Sequence, residues 1–135
     1  MSKKQYDLGK KFEEELCWYL SNNKYYVIYN EKGIEGSQPC DVIAIKNNIA
    51  TLIECKNLEN KSGIFNFNRI EANQFLAYKK FSEKNSNFLL AILWNDNLYL
   101  IDFGLIQFYD KSINLNSFEP NLKGWKGIVK NANNN

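Results

Sequence analysis

Residues 39–56 read Pro-Cys-Asp-Val-Ile-Ala-Ile-Lys-Asn-Asn-Ile-Ala-Thr-Leu-Ile-Glu-Cys-Lys. Two apolar, β-branched runs, 40–46 and 50–56, flank Asn47-Asn48, a pair that tolerates positive φ and so predicts a two-residue hairpin turn. Positions across such a turn pair symmetrically, which sets Asp41 opposite Glu54 with Cβ atoms about 5 Å apart. Like charges so placed destabilise a sheet, and a cation between them gives a reason to keep both. Side chains alternate along a strand, so Lys56 shares the face of Glu54, while Ile53 and Cys55 point the other way, into the core. Two carboxylates and an ammonium thus converge on one patch. Mg²⁺ prefers such hard oxygen ligands, one or two carboxylates completed by water and substrate phosphate. A lysine beside it can orient or deprotonate the water and offset developing negative charge, which is what phosphodiester hydrolysis needs. The competing reading is that Asp41, Glu54 and Lys56 are exposed edge charges joined by a local ion pair.

Outward from the hairpin, the pattern alternates between helix and strand. Leu8, Phe12, Leu16, Tyr19 and Leu20 recur at helical spacing, predicting a helix over 7–21 with Asp7 as its N-cap. The aromatic, β-branched run 25–29 predicts a strand, and 31–39, punctuated by Gly33, Gly36 and Pro39, a loop. After the hairpin, residues 57–67 read as a second loop and 69–84 as a helix with Ile70, Phe75, Leu76, Tyr78 and Phe81 as its apolar set. Runs 88–94 and 98–102 form another hairpin around Asn95-Asp96-Asn97, followed by a short helix over 103–110. The Asn-rich end is expected to be a loose tail from about residue 127. Helix, three strands, helix and two strands imply a single α/β domain built on a mixed sheet.

Composition narrows the chemistry. The 135 residues fit one domain. There is no histidine, which excludes a Ser-His-Asp triad, a Cys-His pair and an HExxH zinc site. Catalysis must run on carboxylates, lysine, hydroxyls, thiols or a metal held by oxygen. The net charge of +2 does not by itself imply nucleic-acid binding. Sixteen lysines against the single Arg69, with abundant asparagine, read first as an AT-rich coding bias. Cys17, Cys40 and Cys55 lack CxxC spacing and read as free thiols of a reducing cytosol. The N-terminus has no signal-peptide core, and the longest apolar run, Phe88–Trp94, is far too short to span a bilayer. A cytoplasmic protein without membrane contact is expected.

At this point the chain resembles the PD-(D/E)XK nuclease superfamily. Pro39-Cys40-Asp41 stands where the family has P-D, with one residue inserted, and Glu54-Cys55-Lys56 where it has E-x-K. Upstream, residues 9–16 (GKKFEEEL) are similar to the G-x-x-x-E-x-E-L helix of archaeal Holliday junction resolvases, whose catalytic glutamate maps to Glu13. Glu13 also lines up with Gly9, Leu16 and Leu20, at the edge of the buried helical stripe, and Gly9 would admit a phosphate or strand close by. Downstream, residues 65–70 (FNFNRI) through Gln74 resemble RecU-type bacterial resolvases, and Gln74–Tyr78 match the Q-x-x-x-Y motif of RecB-like nucleases. The chain has no room for the long stalk that RecU-type proteins carry. A helix that simply packs through Tyr78 is the alternative for that last motif.

The resemblance implies a restriction-endonuclease-like αβββαβ core with helices flanking a central mixed sheet. It implies Mg²⁺, with Mn²⁺ able to substitute, on Asp41, Glu54 and the backbone carbonyl of Cys55, with Glu13 as a further ligand, Lys56 at the water and Gln74 near metal water or phosphate. Lys10, Lys11, Ser37, Gln38, Lys61, Arg69 and Tyr78 are the candidate DNA contacts. The expected function is a Holliday junction resolvase acting as a homodimer, without an organic cofactor, in a host cytoplasm if the source is a phage. A different nuclease of the same fold and a non-catalytic DNA-binding module are the alternatives.

Overall fold

A computed structural model describes residues 3–30, 40–82 and 87–133. Along the chain come α1 (Lys3–Asn22), β1 (Tyr26–Tyr29), β2 (Val42–Lys46), β3 (Ile49–Asn57), β4 (Ile64–Asn66), α2 (Ala72–Ser82), β5 (Asn87–Trp94), β6 (Asn97–Asp102), β7 (Ser112–Asn114), β8 (Leu122–Lys123) and α3 (Trp125–Asn133). Short 3₁₀ turns occupy Phe67–Arg69, Phe103–Phe108 and Leu115–Ser117. Six strands form one sheet in the order β1-β2-β3-β5-β6-β8, and β4 pairs separately with β7. β3 and β5 run parallel, bridged by the α2 crossover, and the other neighbours in the sheet are antiparallel.

Strand alternation sorts the core into two layers. Ile53, Cys55, Ala91 and Leu98 meet Phe12 and Leu16 of α1 and Trp125 and Val129 of α3. Leu52, Leu90, Ile92, Tyr99 and Ile101 meet the other layer, made from α2, the 103–108 turn and the β4–β7 pair. β3 is central and covered on both sides, so its middle residues are apolar and buried whichever way they point.

The expected mixed-sheet α/β architecture and the middle hairpin both hold. Val42 pairs Ile53 and Lys46 pairs Ile49, the register set by the turn, and Asn47 and Asn48 sit at φ 53° and 66°. Several boundaries differ. α1 starts at Lys3, so Asp7 lies inside the helix and caps nothing. The second hairpin turns on Asn95-Asp96 alone, since Asn97 already pairs Trp94. The loop expected over 57–67 contains β4, whose partner β7 is far along the chain. The helix expected from 69 starts at Ala72, after a 3₁₀ turn, and the 103–110 helix is 3₁₀ rather than α. In place of a loose tail the chain forms α3, anchored by buried Trp125. The expected loop over 31–39 lies outside the described residues.

The segment leaving β3 depends on one glycine. Gly63 has φ +77°, and a Cβ there would stand 2.7 Å from Trp94 Cη2. Its N–H donates to Asn60 Oδ1 at 2.9 Å, and the Trp94 indole donates to Asn60 O at 2.7 Å. Gly63→Ala therefore combines a disfavoured backbone angle with a clash against a buried ring. It is expected to cost about 2 kcal/mol, read as a fall in the urea unfolding midpoint at unchanged slope.

Candidate active site

Asp41 stands just beyond the end of the β2–β3 ladder. Its own N–H donates to Ile53 O at 3.1 Å, and its Oδ2 accepts from the Cys55 N–H at 2.8 Å. Past Val42 the regular pairing ends: the Asp41 N–H still serves Ile53 O, and its carboxylate serves the Cys55 N–H. Asp41 is thus laced to both chain neighbours of Glu54. It reaches the expected position through a bend rather than as a regular ladder partner. The bend also carries Cys40 into the core layer of α2, while Val42 belongs to that of α1.

Glu54 projects into the α2 layer, on the same face as Leu52. Its Oε2 accepts a short hydrogen bond from Gln74 Nε2. Gln74 is oriented by the start of its own helix, because its Oε1 accepts from the Glu71 N–H at 3.0 Å. That is the reach-back half of a capping box. With the oxygen committed to the backbone, the amide nitrogen must face Glu54. Lys56, half-buried, follows on the same face as Glu54.

Glu13 reaches the group from α1. It is buried on a helix whose Phe12 and Leu16 pack on the sheet, and its Oε1 accepts from the Tyr29 hydroxyl at 3.0 Å. Its neighbours Glu14 and Glu15 behave differently: Glu14 is exposed, and Glu15 accepts from the Trp125 indole at 3.1 Å. The close approach expected at Gly9 is not made from within the described chain, where a Cβ would meet nothing within 4 Å.

Among the described residues, the buried polar and charged side chains are Glu13 (3% exposed), Asp41 (5%), Glu54 (1%) and Gln74 (7%). The reading as exposed edge charges does not fit this burial. The thiols register how the acids cluster. Burial pushes the Cys55 thiol well above its usual range, and Asp41, Glu13 and Glu54 push it further. Burial lifts Cys17 to about 11, with Glu13, Glu14 and Asp41 adding to the rise. Burial lifts Cys40 to about 12, and Glu54 and Asp41 contribute in the same direction. Near neutrality all three thiols are thereby poor nucleophiles. The acids of the group offer oxygen donors, the set a hard divalent cation takes. No three His, Cys, Asp or Glu side chains among the described residues close into a metal cage, so any such cation would complete its shell with other oxygens. A cavity of about 370 Å³, lined by Leu20, Thr51, Ile53 and Leu122 among others, includes none of these acids and is a separate feature.

The other candidates are scattered. Lys10, Lys11 and Lys61 are exposed, Lys10 lying one helical turn before Glu13 and Lys61 on the segment that leaves β3. Arg69 donates to Asn57 O at 3.2 Å and lies 5.5 Å from the centroid of the Phe65 ring, which fixes it beside the end of β3. Tyr78 is a packing residue. Its ring lies against Phe88 and Phe103, and its hydroxyl sits where a Cβ on Gly104 would come within 2.5 Å. That packing is the alternative the sequence left open for this helix. Ser37 and Gln38 lie outside the described residues. Two residues of the site were not anticipated, Tyr29 and Asn30. The one available signal was the alternation that turns Tyr29, with Val27, toward α1.

No protein-family model matches the chain, and no curated protein matches it. Among solved structures it is similar to Hjc of Archaeoglobus fulgidus, described as a Holliday junction resolvase from an archaeal hyperthermophile. The match has a TM-score of 0.61 and 15% identity over 90% of this chain and 98% of that one. The fold is therefore restriction-endonuclease-like. No helix among the described residues is long and apolar enough to cross a membrane.

Proposed function

We propose that this chain is a metal-dependent DNA endonuclease, a Holliday junction resolvase working as a homodimer. The observation that carries the reading is the burial of Glu13, Asp41 and Glu54, all within electrostatic reach of Cys55 on β3, with buried Gln74 bonded to Glu54. Burying carboxylates costs several kcal/mol each unless partners or a cation offset it, so a purely structural domain has little reason to gather three. The fold shared with an archaeal resolvase supports the choice of substrate.

In this reading Asp41, Glu54 and the Cys55 carbonyl would hold Mg²⁺, with Glu13 as a further oxygen donor. When bound, the ion supplies a more acidic water and charge neutralisation at the scissile phosphate. Lys56 orients the attacking water and offsets the negative charge that builds on the phosphate oxygens. Gln74 keeps the Glu54 carboxylate turned. Lys10, Lys11, Lys61 and Arg69 contact the DNA backbone. A four-way junction offers two symmetric strands, and a two-fold dimer presents two such centres to them.

The test is incubation of the purified chain in Mg²⁺ with a synthetic four-way junction, a duplex and a single strand of matched sequence. Paired nicks in the junction strands, faster than cutting of the other two, are expected. Faster cutting of duplex or single strand would reassign the substrate within the same chemistry. No cutting in Mg²⁺ or Mn²⁺ would leave a DNA-binding module. Junction affinity is expected to fall with salt, with a log–log slope of about −0.9 for each phosphate contacted.

A further inference from the structure

We propose that Tyr29 and Asn30, at the end of β1, form a positioning clamp for the two site carboxylates that do not come from β3. The proposal rests on the nuclease reading. Glu54 needs little help, because its strand is paired on both sides. Glu13 sits on a helix and Asp41 in a bend past the last regular pair of β2, so each is held by a few individual hydrogen bonds rather than by a continuous ladder. The Tyr29 hydroxyl donates to Glu13 Oε1 at 3.0 Å. The next residue holds the backbone at Asp41 twice: Asn30 N–H donates to Asp41 O at 2.9 Å, and Asn30 Nδ2 donates to Cys40 O at 3.0 Å. Tyr29 itself pairs Val42, the residue after Asp41. Two consecutive residues, the last of β1 and the one after it, therefore tie α1 to the entrance of β2.

The division of labour follows from chemistry. A phenol donor on one carboxylate oxygen fixes the plane of the group, as outer hydrogen bonds fix metal-ligating side chains generally. The Asn30 contacts act one step earlier, on the main chain that aims Asp41. Both are positioning residues, acting through Glu13 and Asp41 rather than on substrate.

Mn²⁺ binding to the intact chain, followed by electron paramagnetic resonance without DNA, tests the clamp. The variants are Tyr29→Phe, Asn30→Ala, Glu13→Gln, Asp41→Asn and the double variant Tyr29→Phe/Glu13→Gln, with thermal midpoints recorded alongside. Phe keeps the ring and removes only the donor. Tyr29→Phe and Asn30→Ala are each expected to weaken Mn²⁺ binding on the order of 10-fold. Tyr29→Phe should lower the metal-free midpoint by no more than the loss of one hydrogen bond to a buried carboxylate, and should add nothing to the loss of Mn²⁺ binding in the Glu13→Gln background, because its effect runs through Glu13. Wild-type affinity in Tyr29→Phe, or the same loss in the Glu13→Gln background, overturns the clamp. If Asn30→Ala fails to fold, Tyr29→Phe carries the test alone. Loss of Mn²⁺ in Asp41→Asn with intact binding in Tyr29→Phe removes the clamp and leaves the metal site. A wild-type chain that binds no Mn²⁺ removes both.

Discussion

Asp41→Asn is expected to lower Mg²⁺-dependent cleavage by roughly 10²–10⁴-fold or more, the scale on which single charge-stabilising groups act in catalysis, while junction binding stays close to wild type. The amide has the shape of the carboxylate, and its oxygen can still accept from the Cys55 N–H, so the bend at the head of β2 keeps its lacing. What is lost is charge, in a group beside Glu54 and in electrostatic reach of the thiols that also sense Glu13. Lys56→Ala is expected to produce a comparable loss for the opposite reason, since the carboxylates remain and the cation at the water does not. Single-turnover cleavage of a labelled junction measures the rate, and a gel-shift titration in Ca²⁺ or without metal measures binding. Thermal unfolding gives an independent reading. Saturating Mg²⁺ at about 100 times its dissociation constant should stabilise the wild type by about 2.7 kcal/mol and leave Asp41→Asn nearly unmoved. Either variant cutting in Mg²⁺ near the wild-type rate would sink the assignment.

Legibility in the sequence followed the range of the interactions. The middle hairpin could be read because turn chemistry and strand alternation are both local, and Asn47-Asn48 settled the register residue by residue. Alternation along β3 by itself puts Glu54 and Lys56 on one face. Glu13 was visible only at the border of the α1 stripe and through resemblance, since nothing in Glu13-Glu14-Glu15 says which of the three is buried. β4 and β7 were missed because each has three residues and finds its partner across a long stretch of chain, too little for a period to show. Tyr29 and Asn30 were invisible for a related reason. Their partners, Glu13 and the backbone at Asp41, come from two other elements, and an aromatic run such as residues 25–29 marks a strand without marking which ring has a job. α3 was lost to composition, its lysine, glycine and asparagine outweighing the Trp125, Ile128 and Val129 spacing that packs it.

Trp125→Ala is expected to cost about 3–5 kcal/mol, the range for emptying a buried aromatic site, and to lower the thermal midpoint on the order of 10 °C or more. Trp125 is 1% exposed. Its ring meets Phe12 edge-on at 6.0 Å and Tyr19 at 5.6 Å, and its indole donates to Glu15 Oε1 at 3.1 Å. The start of α3 is held from the second hairpin, where Asp96 accepts the Trp125 N–H through its carbonyl at 2.8 Å and the Lys126 N–H through Oδ1 at 2.9 Å. Removing the indole therefore opens a cavity between α1 and α3 and orphans Glu15 at once. Lys130→Ala, on the exposed side of the same helix, should stay within about 0.5 kcal/mol and serves as the control. A Trp125→Ala midpoint equal to that control would mean that α3 does not pack as described. The effect should also reach the site, because Phe12, which loses its ring contact, is the residue before Glu13. Mn²⁺ affinity is accordingly expected to fall in Trp125→Ala even at temperatures where the variant is fully folded, and to stay unchanged in Lys130→Ala.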